Sequence, residues 1–142
     1  MRPMASAQYV AAIAQRMEAF SLHARLGFKI DTCADGYCQA RCTVTDAHLN
    51  AGGVVHGGVW CTLLDVAAYC AVMSALDEGL TATTVDTHSQ LMKAAGIDAD
   101  IVLKGHCLRV TRRFAFATAE AWHAGELLAR GSLTKAILPM KV

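Results

Sequence analysis

Residues 59–76 read Val-Trp-Cys-Thr-Leu-Leu-Asp-Val-Ala-Ala-Tyr-Cys-Ala-Val-Met-Ser-Ala-Leu, and Asp65 is their only charged residue. The stretch is apolar enough for a helix that is buried on most of its circumference. His56, Gly57 and Gly58 stand directly before it, where they can open a helix whose first N–H groups lack internal partners. A carboxylate on such a helix is costly unless it is paired or neutralised, so an unpaired Asp65 indicates chemistry rather than packing.

The same stretch has the length of a short membrane span, but its composition argues against one. It contains 18 residues, which is borderline, and a mid-segment Asp costs about 3 kcal/mol on insertion scales. Its flanks lack Lys and Arg anchors, and no second span is available to pair with it. We therefore expect a buried helix, and no membrane partner.

The rest of the chain is predicted to form one helix and a series of strands joined by short turns. Apolar spacing predicts an amphipathic helix over residues 5–22, and residues 45–55 form a loop. The predicted strands cover residues 26–34, 37–44, 81–92, 101–110, 114–123 and 126–138. This order predicts an α+β fold in which an antiparallel sheet curls around one central helix. We expect a single domain over residues 1–142.

Composition limits the classes of partner. A formal net charge of +1 gives no field for attracting nucleic acid or an anionic membrane surface, so we expect neither as a partner. Hydrophobic residues make up 54% of the 142 residues and charged residues only 18%. This apolar surplus favours a buried subunit interface, because obligate interfaces resemble a domain core cut in half.

The six cysteines have no spacing that indicates a zinc site, since no Cys-x-x-Cys pair occurs and the histidines are scattered. We interpret them as buried free thiols that act as small hydrophobic residues. No signal peptide is recognisable, so we expect a reducing cytoplasm. No metal ligand is predicted.

Residues 50–59, Asn-Ala-Gly-Gly-Val-Val-His-Gly-Gly-Val, followed by Leu63-Leu64-Asp65, resemble the signature of the hotdog-fold acyl-CoA thioesterases of the phenylacetate-degradation (PaaI-like) branch. The similarity extends from about residue 22 to residue 137. It includes a Leu-Gly-Phe strand after the first helix, the run from Thr84 to Asp86, and a final strand with Gly-Ser-Leu-Thr at 131–134.

The resemblance implies a hotdog fold, in which a curved antiparallel sheet wraps around a long central helix. It also implies a homodimer with a continuous sheet, often assembled into a homotetramer, and two active sites per dimer. In this family pattern Asp65 comes from one subunit, while Asn50 and Gly57 come from the other. The substrate is an acyl-CoA, and coenzyme A is part of that substrate, so no metal or redox cofactor is expected.

Thioester hydrolysis requires a group that activates water or attacks the carbonyl, and a donor for the developing oxyanion. Asp65 can act as general base or as nucleophile, and burial would strengthen it as a base. Its alternative is a salt bridge at an interface. The Gly57 N–H, with Gly58 beside it, can hold the thioester oxygen at the positive end of the helix dipole. Alternatively, the two glycines only allow a tight turn into the helix.

By resemblance, Asn50 orients the attacking water or the Asp65 carboxylate, although Asn also favours turns in any loop. His56 could hydrogen-bond near the thioester carbonyl, or it could cap the helix. Thr84 matches a Ser or Thr that helps to position water. Thr83 is one residue away and would face the other side of the strand, so the register decides between them.

Coenzyme A carries phosphates, so a basic rim is expected. Arg112 and Arg113 lie in a predicted hairpin where relatives usually have Gly followed by Arg or Lys, but Thr111 occupies the Gly position here. A solvated hairpin tip is the alternative for these two arginines.

The sequence predicts an acyl-CoA thioesterase. The alternative is a non-catalytic hotdog module that binds acyl-CoA or fatty acid, against which the unpaired Asp65 argues. A hydratase on the same fold would use an Asp and His pair on the segment entering the helix, and this chain lacks that pattern.

Overall fold

The computed structural model describes residues 4–141, which form three α-helices and six strands. In chain order they are α1 (Ala7–Ala19), α2 (Ser21–Arg25), β1 (Lys29–Ala34), β2 (Tyr37–Thr43), α3 (Gly57–Met73), β3 (Leu80–Leu91), β4 (Asp100–Val110), β5 (Phe114–His123) and β6 (Glu126–Pro139). A single turn of 3-10 helix, Asp46–His48, lies in the loop before α3.

The six strands form one antiparallel sheet with the order β1-β2-β4-β5-β6-β3. The sheet is curved, and α3 packs against it as the central helix. The predicted α+β hotdog fold is therefore confirmed. Strand β3 follows α3 in the chain but lies at the far edge of the sheet, beside the last strand, β6.

The sheet approaches α3 closely because its inner face carries small residues. Along β5 the inward positions are all alanine (Ala115, Ala117, Ala119 and Ala121), and each is buried. On β4, a Cβ at Gly105 would lie 2.6 Å from the carbonyl carbon of Ala67 and closer still to its oxygen. Only glycine leaves room for the α3 backbone at this point.

Helix α3 is buried on most of its circumference, as its sequence predicts. Its buried residues are Trp60, Leu63, Leu64, Val66, Ala67, Ala68, Cys70, Ala71, Val72 and Met73. The sheet covers one side of the helix and α1 covers part of the other. Among residues 4–141, no helix is both long enough and apolar enough to cross a bilayer.

The predicted helix over residues 5–22 is wrong in one respect, because the chain breaks at Phe20 into α1 and α2. Phe20 has extended backbone angles, φ −60° and ψ 131°. The break brings the His23 ring back over the end of α1, where its Nδ1 lies 2.8 Å from the Met17 carbonyl oxygen. Phe20 and His23 also contact each other, with ring centroids 5.3 Å apart.

The cysteines are free thiols of unequal exposure. Cys38, Cys42 and Cys70 are buried, whereas Cys61 is exposed, which contradicts the expectation that all six are buried. Cys61 lies one turn into α3. Burial raises the pKa of the Cys42 thiol to about 12, so this thiol stays protonated and unreactive at neutral pH.

Candidate active site

Asp65 lies in the middle of α3 and forms a compact polar cluster with one residue from each of two strands. The Thr84 hydroxyl on β3 donates to Asp65 Oδ1 over 2.6 Å, and the Lys135 ammonium on β6 donates to the same oxygen over 2.7 Å. Lys135 Nζ also lies 2.7 Å from Thr84 Oγ1. The three polar groups therefore contact one another pairwise.

The prediction of an unpaired, buried Asp65 is wrong for the single chain. The carboxylate is paired with Lys135, and 45% of its side chain is exposed, whereas the Lys135 side chain is only 1% exposed. Lys135 was missed because it is distant in sequence. The signal that could have found it is strand alternation, since Gly131, Leu133 and Lys135 occupy successive buried positions of β6.

Thr84 rather than Thr83 meets Asp65, and the register of β3 explains why. Thr84 is the sheet partner of the buried Lys135, so both side chains point inward toward α3. Thr83 pairs with Ala136 and points to the outer face. A β-bulge between Thr84 and Asp86 interrupts the alternation directly after this contact.

The first turn of α3 leaves one backbone N–H group available, that of Gly57. His56 is the N-cap, and its Nδ1 accepts the Gly58 N–H over 2.8 Å. The Val59 and Trp60 N–H groups are both bonded to the His56 carbonyl oxygen. Within residues 4–141 the Gly57 N–H has no such bond, so the expectation that the Gly58 N–H is also available is wrong.

The same hydrogen bond determines which ring nitrogen of His56 carries the proton. An Nδ1 that accepts a hydrogen bond carries no proton, so the imidazole is the neutral tautomer with its proton on Nε2. The cap interpretation of His56 therefore holds in the structure.

Asn50 lies in the loop that leads into α3, and its side chain shapes that loop. Its Oδ1 accepts the Gly52 N–H over 2.9 Å and the Val54 N–H over 3.3 Å. Both bonds use the oxygen, so the side-chain NH₂ is the part that could face a ligand. The buried His48 anchors the same loop, with Nε2 lying 2.8 Å from the Leu26 carbonyl oxygen.

A cavity of about 240 Å³ opens beside the carboxylate. Its walls come from α1, α2 and α3 and are Met17, Phe20, His23, Asp65, Val66 and Tyr69. Pockets for whole drug-sized ligands occupy roughly 300–1,000 Å³, so this cavity fits one apolar group rather than an entire coenzyme.

Gly57 and Asp65 of one chain cannot act on the same carbonyl group. Both lie on α3, eight residues apart. A helix rises 1.5 Å per residue, which separates them by about 12 Å along its axis. A carbonyl within hydrogen-bond reach of the Gly57 N–H would therefore lie far from the Asp65 carboxylate of the same subunit.

The sequence profile of the thioesterase superfamily matches residues 52–129, which is more than half of the chain. The chain belongs to the thioesterase superfamily. The sequence-based prediction of a thioester-hydrolase family is thereby confirmed.

Two thioesterases from other organisms are similar to this chain over most of its length. Human acyl-coenzyme A thioesterase 13 is 30% identical over 106 residues, which are 73% of this chain and 75% of the human protein. The crystal structure of zebra fish thioesterase superfamily member 2 superposes with a TM-score of 0.82 at 29% identity, covering 93% of this chain and 98% of that one.

The fold is also that of the predicted PaaI-like branch. A mutant of the phenylacetic acid degradation protein PaaI from Thermus thermophilus superposes with a TM-score of 0.75, over 81% of this chain and 96% of that one. At 24% identity this likeness concerns the fold.

In this thioesterase, Arg112 and Arg113 are exposed at the β4–β5 hairpin tip. Thr111 holds the turn, since its hydroxyl and N–H both bond to the Phe114 carbonyl oxygen. The Arg113 carbonyl accepts the Ile137 N–H, which sets the tip two residues along β6 from Lys135. Within the described chain neither arginine forms an ion pair.

No group of three or more His, Cys, Asp or Glu side chains that could hold a metal ion occurs within residues 4–141.

Proposed function

We propose that this protein hydrolyses acyl-CoA thioesters to a free acid and coenzyme A. The observation that carries the proposal is the Asp65 carboxylate, which is oriented through one oxygen by Thr84 at 2.6 Å and half exposed to solvent. The human relative carries the name acyl-coenzyme A thioesterase 13, which supports an acyl-CoA substrate.

The proposed reaction begins with water bound to Asp65 Oδ2. The water oxygen attacks the thioester carbonyl carbon while its proton passes to Oδ2, and the carbonyl electron pair moves onto oxygen. The Gly57 N–H of the other subunit stabilises that oxyanion, and one such donor is typically worth about 3 kcal/mol of barrier. The C–S bond then breaks, and coenzyme A leaves as a thiolate that takes the proton from Asp65.

Asp65 could instead attack the carbonyl itself and form a mixed anhydride. A single turnover in oxygen-18 water detects hydrolysis of this anhydride at the Asp65 carbonyl, whereas attack at the acyl carbonyl labels the free acid in either mechanism. A general base directs the label into the free acid. Hydrolysis of an anhydride at the Asp65 carbonyl directs the label into the enzyme.

The Gly57 N–H can be removed without disturbing the helix. Gly57 is the first helical residue, where proline is well tolerated because its missing N–H is an unpaired one anyway. We expect Gly57→Pro to lower kcat about 10²- to 10³-fold. Gly57→Ala is the matched control, because it keeps the N–H and adds only a methyl group, 3.3 Å from Leu91. Equal losses in both variants would contradict the role of the N–H.

A homodimer supplies the second half of the site, because Asp65 and Gly57 of one chain lie too far apart. Strand β3 has twelve residues at the edge of the sheet, and no strand within residues 4–141 covers its outer side. Val85, Leu91, Met92 and Ile97 are exposed along it or just beyond it. A long apolar edge is a template for pairing with another chain.

The positions of the two half-sites along β3 support a specific pairing. Asp65 contacts Thr84, the fifth of the twelve residues of β3, and Gly57 lies beside Leu91, the last of them. If two copies of β3 pair antiparallel about residues 87–88, Thr84 lies opposite the partner subunit's Leu91. Each Asp65 then faces the first turn of α3 of the other subunit.

A charge on this edge tests the dimer. Val85 is 56% exposed, and we expect Val85→Lys to yield a monomer in light scattering with loss of activity. Leu108→Lys is the matched control, because Leu108 is 64% exposed on β4 and should remain dimeric and active. A Val85→Lys variant that is monomeric and fully active would contradict the proposal that two subunits form each active site.

We further propose a homotetramer in the reducing cytoplasm, in which two dimers meet through outer sheet faces. Phe114 and Phe116 are each 40% exposed on the outer face of β5 and support such a contact. The free thiols support the compartment. The Arg112 and Arg113 guanidinium groups are candidates for the coenzyme A phosphates.

The cavity beside Asp65 is the proposed site for the apolar part of the acyl group. The decisive assay incubates the protein with phenylacetyl-, hexanoyl- and palmitoyl-CoA and measures coenzyme A release with a thiol reagent, after subtracting the signal of the exposed Cys61. We expect release from at least one of them. Binding of all three without release would favour the acyl-CoA binding module.

A further inference from the structure

We infer that Lys135 is a positioning residue that orients the Asp65 carboxylate for catalysis, an inference that rests on the proposed thioesterase function. The buried ammonium binds one carboxylate oxygen and so presents the other to the substrate side.

The geometry of Lys135 is that of a fully enclosed cation. Its side chain is 1% exposed, and its Nζ lies 2.7 Å from both Asp65 Oδ1 and Thr84 Oγ1. The Tyr69 ring lies below it, with Nζ 5.7 Å from the ring centroid. Two hydrogen bonds and one aromatic face therefore surround the ammonium.

The enclosure makes the two oxygens of Asp65 chemically different. Oδ1 receives both the Thr84 hydroxyl and the Lys135 ammonium, at 2.6 and 2.7 Å. No residue within 4–141 donates to Oδ2. Since α3 and the sheet fix the donors, the carboxylate cannot rotate without losing both bonds, and Oδ2 is left as the reactive oxygen.

A purely structural role explains this arrangement poorly. Burying an ammonium costs more than burying an apolar side chain of the same volume, and replacing a buried ion pair by hydrophobic residues is often neutral or stabilising. Leu133 occupies the preceding inward position of β6, so an apolar residue suits this face. The lysine contributes instead a fixed donor and a positive charge beside the proposed base.

The test compares Lys135→Met with Lys93→Met and Lys135→Arg. Lys93 forms an exposed ion pair with Glu126 at 2.7 Å and serves as the matched control. We expect Lys135→Met to lower kcat at the plateau up to about 100-fold, because a misplaced catalytic group can cost that much. We also expect an unchanged KM, because Lys135 does not contact the substrate. Lys93→Met should match the wild type.

Lys135→Arg keeps a positive charge and N–H donors, so it should restore part of the kcat that Lys135→Met loses. Thermal unfolding shows which variants are folded. If Lys135→Met does not fold, Lys135→Gln is judged by the same two readouts.

A folded Lys135→Met or Lys135→Gln variant with the wild-type kcat would overturn the inference. The failure of the proposed function has a different signature, since a wild-type protein that releases no coenzyme A fails before any variant is compared. Loss of activity in Asp65→Asn, together with full activity in Lys135→Met, would leave the thioesterase intact and remove Lys135 alone.

Discussion

Two lysine–carboxylate pairs of this protein have the same length and different surroundings. Lys135–Asp65 and Lys93–Glu126 both measure 2.7 Å. In the second pair both side chains are more than half exposed, whereas the Lys135 side chain is enclosed. The two pairs therefore differ in strength in spite of their equal length. Solvent screens the Lys93–Glu126 pair, whereas the protein interior surrounds the Lys135 ammonium.

Of the two pairs, only Lys135–Asp65 belongs to the candidate active site, whereas Lys93–Glu126 is a surface ion pair. Exposed ion pairs are worth about 0–1 kcal/mol, so Lys93–Glu126 can be broken with little effect. The enclosed pair is held between a helix and two strands and presents an oxygen to solvent. Four experiments break or sharpen this contrast.

Neutralising the two carboxylates should produce the largest difference. We expect Asp65→Asn to lower kcat about 10²- to 10⁴-fold, the usual contribution of a general base. Glu126→Gln is the same chemical change in the exposed pair and should leave kcat unchanged. Steady-state coenzyme A release measures both. A wild-type rate in a folded Asp65→Asn variant would remove this carboxylate from the mechanism.

Moving α3 away from the sheet should disturb the enclosed pair but not the exposed one. Gly105→Ala forces a methyl group into the Ala67 backbone, and overpacking of this kind costs about 1–3 kcal/mol or more. We expect a lower midpoint in urea unfolding together with reduced kcat. Gly125→Ala, in the open β5–β6 turn, separates local backbone strain from overpacking, since nothing lies within 4 Å of its new methyl group. A Gly105→Ala protein as stable as the wild type would contradict the close contact.

Two threonine hydroxyl groups that donate to aspartates, one in the site and one on the surface, allow a similar comparison with a smaller expected effect. Thr84 donates to Asp65 over 2.6 Å, and Thr43 donates to the exposed Asp100 over 3.0 Å. We expect Thr84→Val to lower kcat about 10- to 100-fold, since one hydrogen bond to a charged group is typically worth about 1.5–3 kcal/mol. Thr43→Val should keep full activity. Equal kcat values in the two variants would count against the orienting role of Thr84.

The smallest effect belongs to the exposed pair itself. We expect Lys93→Met to change the free energy of unfolding by less than about 1 kcal/mol, because both partners are screened by water. Chemical denaturation at low and high salt measures it. A large, salt-insensitive loss would show that exposure is a poor guide to the strength of these pairs.

Local patterns were sufficient to predict most of the fold. Strand β5 begins and ends where predicted, because short turns of Thr-Arg-Arg and Ala-Gly bound it. The break at Phe20 was missed because apolar spacing continues through it. The break brings His23 over the end of α1, a contact that apolar spacing does not indicate.

The site residues that lie in one continuous segment of the sequence could be predicted. Gly57 and Asp65 stand out from sequence because one precedes an apolar run and the other interrupts it. The partner of the carboxylate, Lys135, lies 70 residues away and is brought in by the order of the strands. The loss of the Gly58 N–H to His56 depends on side-chain geometry, which sequence does not specify.

The division of the site between two subunits is tested most directly by mixing two inactive proteins. Asp65→Asn and Gly57→Pro are each expected to be nearly inactive as homodimers. After joint refolding, half of the dimers are mixed and one site in each mixed dimer is native, so activity should return to about one quarter of the wild-type value. If mixed dimers form but the mixture is as inactive as the two parent variants, the Asp65 carboxylate and the Gly57 amide do not meet across the interface.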